Sequence, residues 1–198
     1  MEGIIKLLLR TFAIKTKIFV FDKMKLINYL GFGILAFVLF SCSNYPPLEV
    51  VKSVDLEKYS GKWYEIVRFP HSFEKDCYCV TAEYLLTNDD YIKVINSCRK
   101  GSIKGNPKKA EGKAFVIENS NNAKLEVQFF WPFRGDYWII DLADDYSWVV
   151  VGHPSREYLW ILSRTPKLDN DLTAELIEKI KSKGYDISKI IYTEQSCE

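Results

Sequence analysis

The chain has 198 residues, with 27 lysines and arginines against 26 aspartates and glutamates, a formal charge of +1. That length supports one ordinary domain with a full core. Setting aside the first 41 residues, with their six basic and two acidic side chains, leaves 21 basic against 24 acidic, about −3, and a mildly acidic domain without a large basic patch is a poor candidate for binding nucleic acid.

The first element is an apolar run from Leu26 to Phe40, preceded by Lys23 and Lys25 and closed by Ser41-Cys42. A basic start, a short apolar stretch and a small residue before the cut describe an export signal. The run is short for a bilayer, which needs roughly 20 apolar residues, and it contains Asn28, Gly31 and Gly33. Leu39-Phe40-Ser41-Cys42 resembles the lipobox of bacterial lipoproteins, in which the cysteine thiol receives a diacylglycerol and becomes the new N-terminus. Met24 reads as the natural start of that signal, and residues 1–23 as an extended leader or a misassigned start. The expected plan is leader and signal peptide at 1–41, lipidated cysteine and linker at 42–53, and one folded domain at 54–198. Pro46-Pro47 favours an extended spacer in that linker.

Short strand signals follow, separated by turns. Residues 61–69 are rich in aromatic and β-branched side chains. Residues 77–86 and 91–98 flank the polar Thr87-Asn88-Asp89-Asp90 and read as a hairpin. The stretch 101–112 holds Gly, Asn and Pro and reads as a connection, with Lys108-Lys109 as a solvated pair. Further strands are expected at 113–118, 124–130, 136–141, 147–151 and 157–163. Eight strands at short, regular spacing predict an all-β, antiparallel sandwich or barrel. Between 171 and 183 the apolar residues are Leu172, Leu176, Ile177 and Ile180, a helical stripe. Asn170 or Asp171 serves as its N-cap and Gly184 stands at C′, so this helix packs its stripe on the outside of the sheet. Ile190-Ile191-Tyr192 offers a short closing strand.

Cys42 apart, the cysteines are Cys77, Cys79, Cys98 and Cys197. An even number in an exported domain predicts two disulfides. A metal reading needs zinc-like spacing and histidines, whereas Cys-Tyr-Cys does not fit and His71 and His153 stand isolated. Cys77 and Cys79 share one face of a regular strand. Cys98 can face either across the hairpin, and Cys197 ties the chain end to the other.

Eight strands closed into one barrel leave room for one small ligand. Alternation puts Leu125, Val127 and Phe129 on one face, while Tyr158 to Leu162, including Trp160, is apolar on both. Trp131 and Phe133 sit in a turn, where exposed aromatics are costly unless they line something. Trp138 and Trp148 complete an aromatic set that either fills the barrel or lines a cup. Arg134 is a candidate cation for an acidic head group. Glu65 shares strand parity with Trp63, so it points inward and must be paired or protonated.

Three segments together resemble the lipocalins: Gly61-Lys62-Trp63-Tyr64-Glu65 after Val54 to Tyr59, Asp141 to Tyr146 between the sixth and seventh strands, and Arg164 in Ser163-Arg164-Thr165-Pro166. The resemblance covers nearly all of 54–198 and is closest to the bacterial outer-membrane lipoprotein branch, with its apolipoprotein D and plant temperature-induced relatives. It implies an eight-stranded up-and-down barrel with one C-terminal helix outside. It implies a structural signature of Gly61, Trp63 and Arg164, the guanidinium lying over the indole at the closed end. By analogy with apolipoprotein D, Cys79 pairs with Cys197, leaving Cys77 for Cys98.

Function follows as an expectation. The family implies a cup for a hydrophobic ligand, here a fatty acid or lysophospholipid, contacted by Glu65, Leu125, Val127, Phe129, Trp131, Phe133, Arg134, Trp138, Trp148, Tyr158 and Trp160. No cofactor or metal is called for. The membrane is the other partner, through Cys42, and a homodimer is left open. Ser43 after Cys42 is not acidic, which by analogy points to the outer membrane. An enzyme would want a nucleophile elbow such as Gly-x-Ser-x-Gly, which is missing from the sequence. A lipocalin-fold enzyme acting on a lipid through a carboxylate such as Glu65, and a ligand-free adhesive domain, are the competing readings.

Overall fold

The computed structural model describes residues 45–197; the leader, the export signal and Cys42 lie outside the described residues. A single helical turn, α1 (Leu56–Tyr59), is started by Asp55, whose carboxylate accepts from the amides of Glu57 and Lys58. The chain then runs through β1 (Gly61–Arg68), β2 (Cys77–Leu86), β3 (Ile92–Lys100), β4 (Asn106–Val116), β5 (Lys124–Phe130), β6 (Phe133–Leu142), β7 (Trp148–Gly152), β8 (Leu159–Ser163), α2 (Asn170–Ser182) and β9 (Ile191–Tyr192). Each strand from β1 to β8 is antiparallel to the next, and β1 pairs with both β2 and β8. The eight-stranded barrel is therefore closed, which removes exposed edges.

Two strands depart from the sequence reading. β4 starts at Asn106 rather than 113, because its residues pair with β3 from Lys100↔Asn106 to Ile92↔Ala114. Cross-strand pairing here overrides the weak strand propensity of Asn, Pro and Lys, and Lys108 and Lys109 stand on a strand, not in a loop. β6 likewise starts at Phe133 rather than 136, through the Phe130↔Phe133 pair. At α2 the capping carboxylate is Asp169, one residue earlier than expected; it accepts from Asp171 and Leu172 amides. Gly184 ends the helix at φ +89°, a conformation that favours glycine.

Alternation builds two apolar layers. Inside the barrel Trp63, Val94, Ala114, Leu125, Ile139, Val149, Val151 and Leu162 pack together. Outside, Leu176 and Ile180 of α2 close on Val67, Ile140, Val150, Leu159 and Ile161. The described part of the expected linker is no free spacer. Leu48 is buried in the outer layer, and the Val51 amide donates to the Ile139 carbonyl. Arg156 fastens this segment, donating to the carbonyls of Pro46 and Lys183.

The disulfides are Cys77–Cys98 and Cys79–Cys197, with Cα atoms 5.6 and 6.0 Å apart. The strand between Cys77 and Cys79 is not regular. A bulge interrupts β2 between Tyr78 and Thr81, with Cys79 at φ +51°, so simple alternation fails there and each cysteine reaches its own partner. Residues 45–197 thus hold the closed barrel, both apolar layers and both bridges.

Candidate functional site

The antiparallel order puts the turns at 87–91, 117–123 and 143–147 at one end with α1, and those at 69–76, 101–105, 131–132 and 153–158 at the other. The first end is closed. Arg164 lies 3.7 Å over the Trp63 ring and donates to the carbonyls of Lys62, Lys58 and Tyr59. The indole N–H donates to the Tyr59 carbonyl at 2.8 Å. Gly61 beside them has φ +92°, and a Cβ there would approach Arg164 to 3.6 Å. Above this floor Tyr59 and Tyr84 each place a hydroxyl 2.7 Å from that of Tyr137. Burial pushes all three phenols above the ordinary tyrosine range; the two neighbouring tyrosines add to this at Tyr137, whereas at Tyr59 and Tyr84 the hydrogen bond with Tyr137 works against it.

The middle of the barrel is an apolar wall. Leu125, Val127 and Phe129 of β5 face it, as alternation predicts, together with Ile92 and Val94 of β3 and Leu162 of β8. Trp160 faces it near the mouth.

At the mouth the apolar wall gives way to buried charge. A bulge in β1 between Glu65 and Val67 turns Val67 onto the outer layer and leaves Glu65 and Arg68 on the inner face. Both are buried, with Arg68 Nε 3.2 Å from Glu65 Oε1. The 69–76 turn folds over them and adds His71 and Glu74, whose Nε2 and Oε2 lie 3.0 Å apart. The side chain of His71 is only 3% exposed. Arg68 Nε, both His71 ring nitrogens and Glu74 Oε2 lack a hydrogen-bonding partner among the described residues; the His71–Glu74 contact is close enough for attraction but poorly aligned. Burial raises the Glu65 carboxyl well above its usual range, and Glu74 adds to this against the pull of Thr193 and Arg68. Burial also works to raise Glu74, but His71, Glu65 and Arg68 outweigh it and hold that carboxyl low. The two carboxyls are thus pushed apart, Glu65 toward its protonated form and Glu74 toward its ionised form.

The C-terminal tail completes this wall. β9 pairs with the end of β1 where β2 has left it. Thr193 donates to the Glu65 carboxylate, and the Gln195 side-chain amide bridges the carbonyls of Glu65 and Val80.

Several sequence-predicted residues lie elsewhere. Trp138 and Trp148 belong to the outer layer with α2, because their neighbours Tyr137, Ile139 and Val149 take the inner face. Arg134 is also outside, paired with Glu126 at 3.1 Å and stacked 3.9 Å from the Phe115 ring, so it supplies no charge to the mouth. Trp131 and Phe133 are exposed on the β5–β6 turn and line nothing. Tyr158 is at the rim, its ring stacked beside Trp160. The two histidines are not isolated, since His71 meets Glu74, and His153 Nε2 lies 3.6 Å from Asp136. Arg68, His71 and Glu74 were missed. Their signal was the i, i+3 spacing of charge across a strand end, which an unbulged strand would have scattered over two faces. No group of His, Cys, Asp and Glu suited to a metal occurs among the described residues.

Comparison with known proteins places this geometry. Residues 54–195 match the family model described as a lipocalin-like domain. The chain is 41% identical over 167 residues to the outer membrane lipoprotein Blc of Vibrio cholerae, covering 83% of this chain and 97% of that one. It is 40% identical over 161 residues to temperature-induced lipocalin-1 of Arabidopsis thaliana, covering 75% and 83%. Among solved structures, insecticyanin from the tobacco hornworm Manduca sexta superposes with a TM-score of 0.61 at 23% identity, over 78% of this chain and 89% of that one.

Proposed function

This chain belongs to the lipocalin-like family, and from that premise we propose that it is a lipid-anchored outer-membrane protein that binds one fatty acid or lysophospholipid in its barrel. The observation that carries this reading is the change of chemistry along the barrel axis. A tyrosine-capped floor and an apolar wall of Leu125, Val127, Phe129 and Trp160 lead up to a mouth where Arg68 and His71 keep unmet hydrogen-bonding capacity. An amphiphile matches that sequence of environments. Its acyl chain removes apolar wall from water, and its acidic head accepts from Arg68 and His71. Anchorage through Cys42 and outer-membrane residence are supported by the lipobox-like Leu39-Phe40-Ser41-Cys42 and by similarity to outer membrane lipoproteins.

The test is native mass spectrometry of the mature chain from Ser43, exported to an oxidising compartment, followed by titration with fatty acids and lysophospholipids of increasing length. An adduct of fatty-acid or lysophospholipid mass is expected, and affinity should rise by about 0.8 kcal/mol per methylene. Equal affinity for short and long chains would overturn the acyl-cup reading. A barrel that ignores both lipid classes would favour the adhesive alternative.

A further inference from the structure

Inside the barrel, two polar groups stand apart from both the apolar wall and the charged mouth. Tyr84 donates to the Tyr137 hydroxyl, and the Tyr59 and Tyr137 hydroxyls share a second contact, each at 2.7 Å. Every phenol oxygen there has a partner, but the protons outnumber the contacts. Three hydroxyls bring three protons and each contact uses one, so one O–H is left without an acceptor among the described residues. Burial holds all three phenols above the ordinary tyrosine range, so none sheds its proton to relieve the mismatch. The second group is Asn96. Register runs unbroken from Leu86↔Ile92 to Thr81↔Ser97, so Asn96 shares the inner face of β3 with Ile92 and Val94, opposite Ala82. Its Oδ1 is buried and lacks a hydrogen-bonding partner among the described residues. Tyr84 pairs with Val94, so Asn96 stands one inner-face row nearer the mouth, about 7 Å along the strand. A spare donor and a spare acceptor thus occupy adjacent rows of the wall, below the charges of the mouth.

We propose that the cup selects acyl chains bearing a hydroxyl on the half away from the head group, the hydroxyl accepting the spare tyrosine proton and donating to Asn96 Oδ1. A hydroxyl is donor and acceptor at once, so one group answers both needs. A keto oxygen only accepts and would leave Asn96 unmet. A carboxylate driven to the floor would abandon the cations of the mouth and set its charge against the Asn96 oxygen, so the head stays at Arg68 and His71. An unsubstituted chain answers neither group and shuts both away from water. Sites built to hydrogen-bond a hydroxyl reject the analogue that lacks it, because the buried partners are then left unpaired. The hydroxyl belongs on the far half of the chain because the tyrosines lie on the floor side and the head group at the mouth. This inference rests on the acyl-cup reading and adds to it the class of chain.

The test is titration calorimetry of the mature chain from Ser43 with stearate and with stearates hydroxylated beside the carboxyl, at mid-chain and near the methyl end. At least one of the last two should bind about tenfold tighter than stearate. The isomer hydroxylated beside the carboxyl should bind no tighter than stearate. Asn96→Leu and the triple variant Tyr59→Phe, Tyr84→Phe, Tyr137→Phe remove the polar atoms and keep side chains of similar size. Each should cut the preference to about threefold or less while stearate affinity holds or rises. A cooperative melt and retained stearate binding show that a variant is folded; if the triple variant fails to fold, Asn96→Leu alone decides. Equal affinity for stearate and every hydroxylated form overturns the selection and leaves the acyl cup standing. So does a preference that survives in the folded variants, or one confined to the isomer hydroxylated beside the carboxyl, since the hydroxyl would then be read elsewhere. No uptake of any of these acids overturns the acyl cup itself, and this inference with it.

Discussion

The two ends of this barrel are built from similar residues to opposite ends. At the closed end an arginine, a tryptophan and three tyrosines meet almost every polar atom with a partner, and Arg164 alone donates to four carbonyls, those of Lys58, Tyr59, Lys62 and Tyr146. At the open end Arg68, His71 and Glu74 are just as enclosed yet keep atoms without partners, and the aromatics beside them face water. Unmet buried polar atoms cost stability. A fold that tolerates them at one end and avoids them at the other has divided stabilising and binding work between its ends.

The largest effect that would break this contrast is Trp63→Ala. Removing a fully buried indole should cost about 4 kcal/mol and lower the melting temperature by roughly 10 °C or more. A change of only a few degrees would mean the closed end is not the keystone. Arg164→Ala should come next, at about 2 kcal/mol, from four lost carbonyl partners and the contact with Trp63. Neither substitution touches the mouth, so variants that remain folded at low temperature should keep ligand affinity within about a factor of two, as read by titration calorimetry.

Glu65 sharpens the contrast from the other side. Its folded pKa lies above the unfolded value, so the folded chain holds this proton more tightly. The stability it contributes is complete below the unfolded pKa and is lost as pH rises through the folded one. Glu65→Gln keeps an acceptor for Thr193 and removes that loss. The variant should match the parent at acidic pH and exceed it by about 1 kcal/mol above neutrality, measured by denaturant melts across pH. Parallel curves would show that Glu65 does not carry the proton. The smallest effect is expected outside the barrel. Trp138→Phe and Trp148→Phe should leave ligand affinity unchanged within about twofold, whereas Trp160→Ala should weaken it about tenfold. Loss of affinity from the outer pair would return those residues to the cup.

Much of this was legible in local pattern. Strand spacing, the Gly61–Trp63 and Arg164 signature, the α2 stripe and the alternation of Leu125, Val127 and Phe129 depend on residues within one element, or on a resemblance spanning the domain. What failed was everything that depended on register. The parity of Trp138 and Trp148, the start of β4 and the regular strand assumed between Cys77 and Cys79 all turn on which residues pair across strands and where a bulge adds one.

The sequence by itself determined the antiparallel all-β domain, the outer helix and the apolar inner face, because burial at period two or 3.6 is written into neighbouring residues; closure into one barrel was legible only through the resemblance to the lipocalins. Only the tertiary structure decided which charges share the mouth. A one-residue bulge in β1 and a folded turn bring Glu65, Arg68, His71 and Glu74 together, and the tail from beyond α2 seals the gap beside them. Such a meeting depends on three-dimensional closure of segments up to 130 positions apart, as Gln195 on Glu65 shows, and no local rule of the chain encodes it.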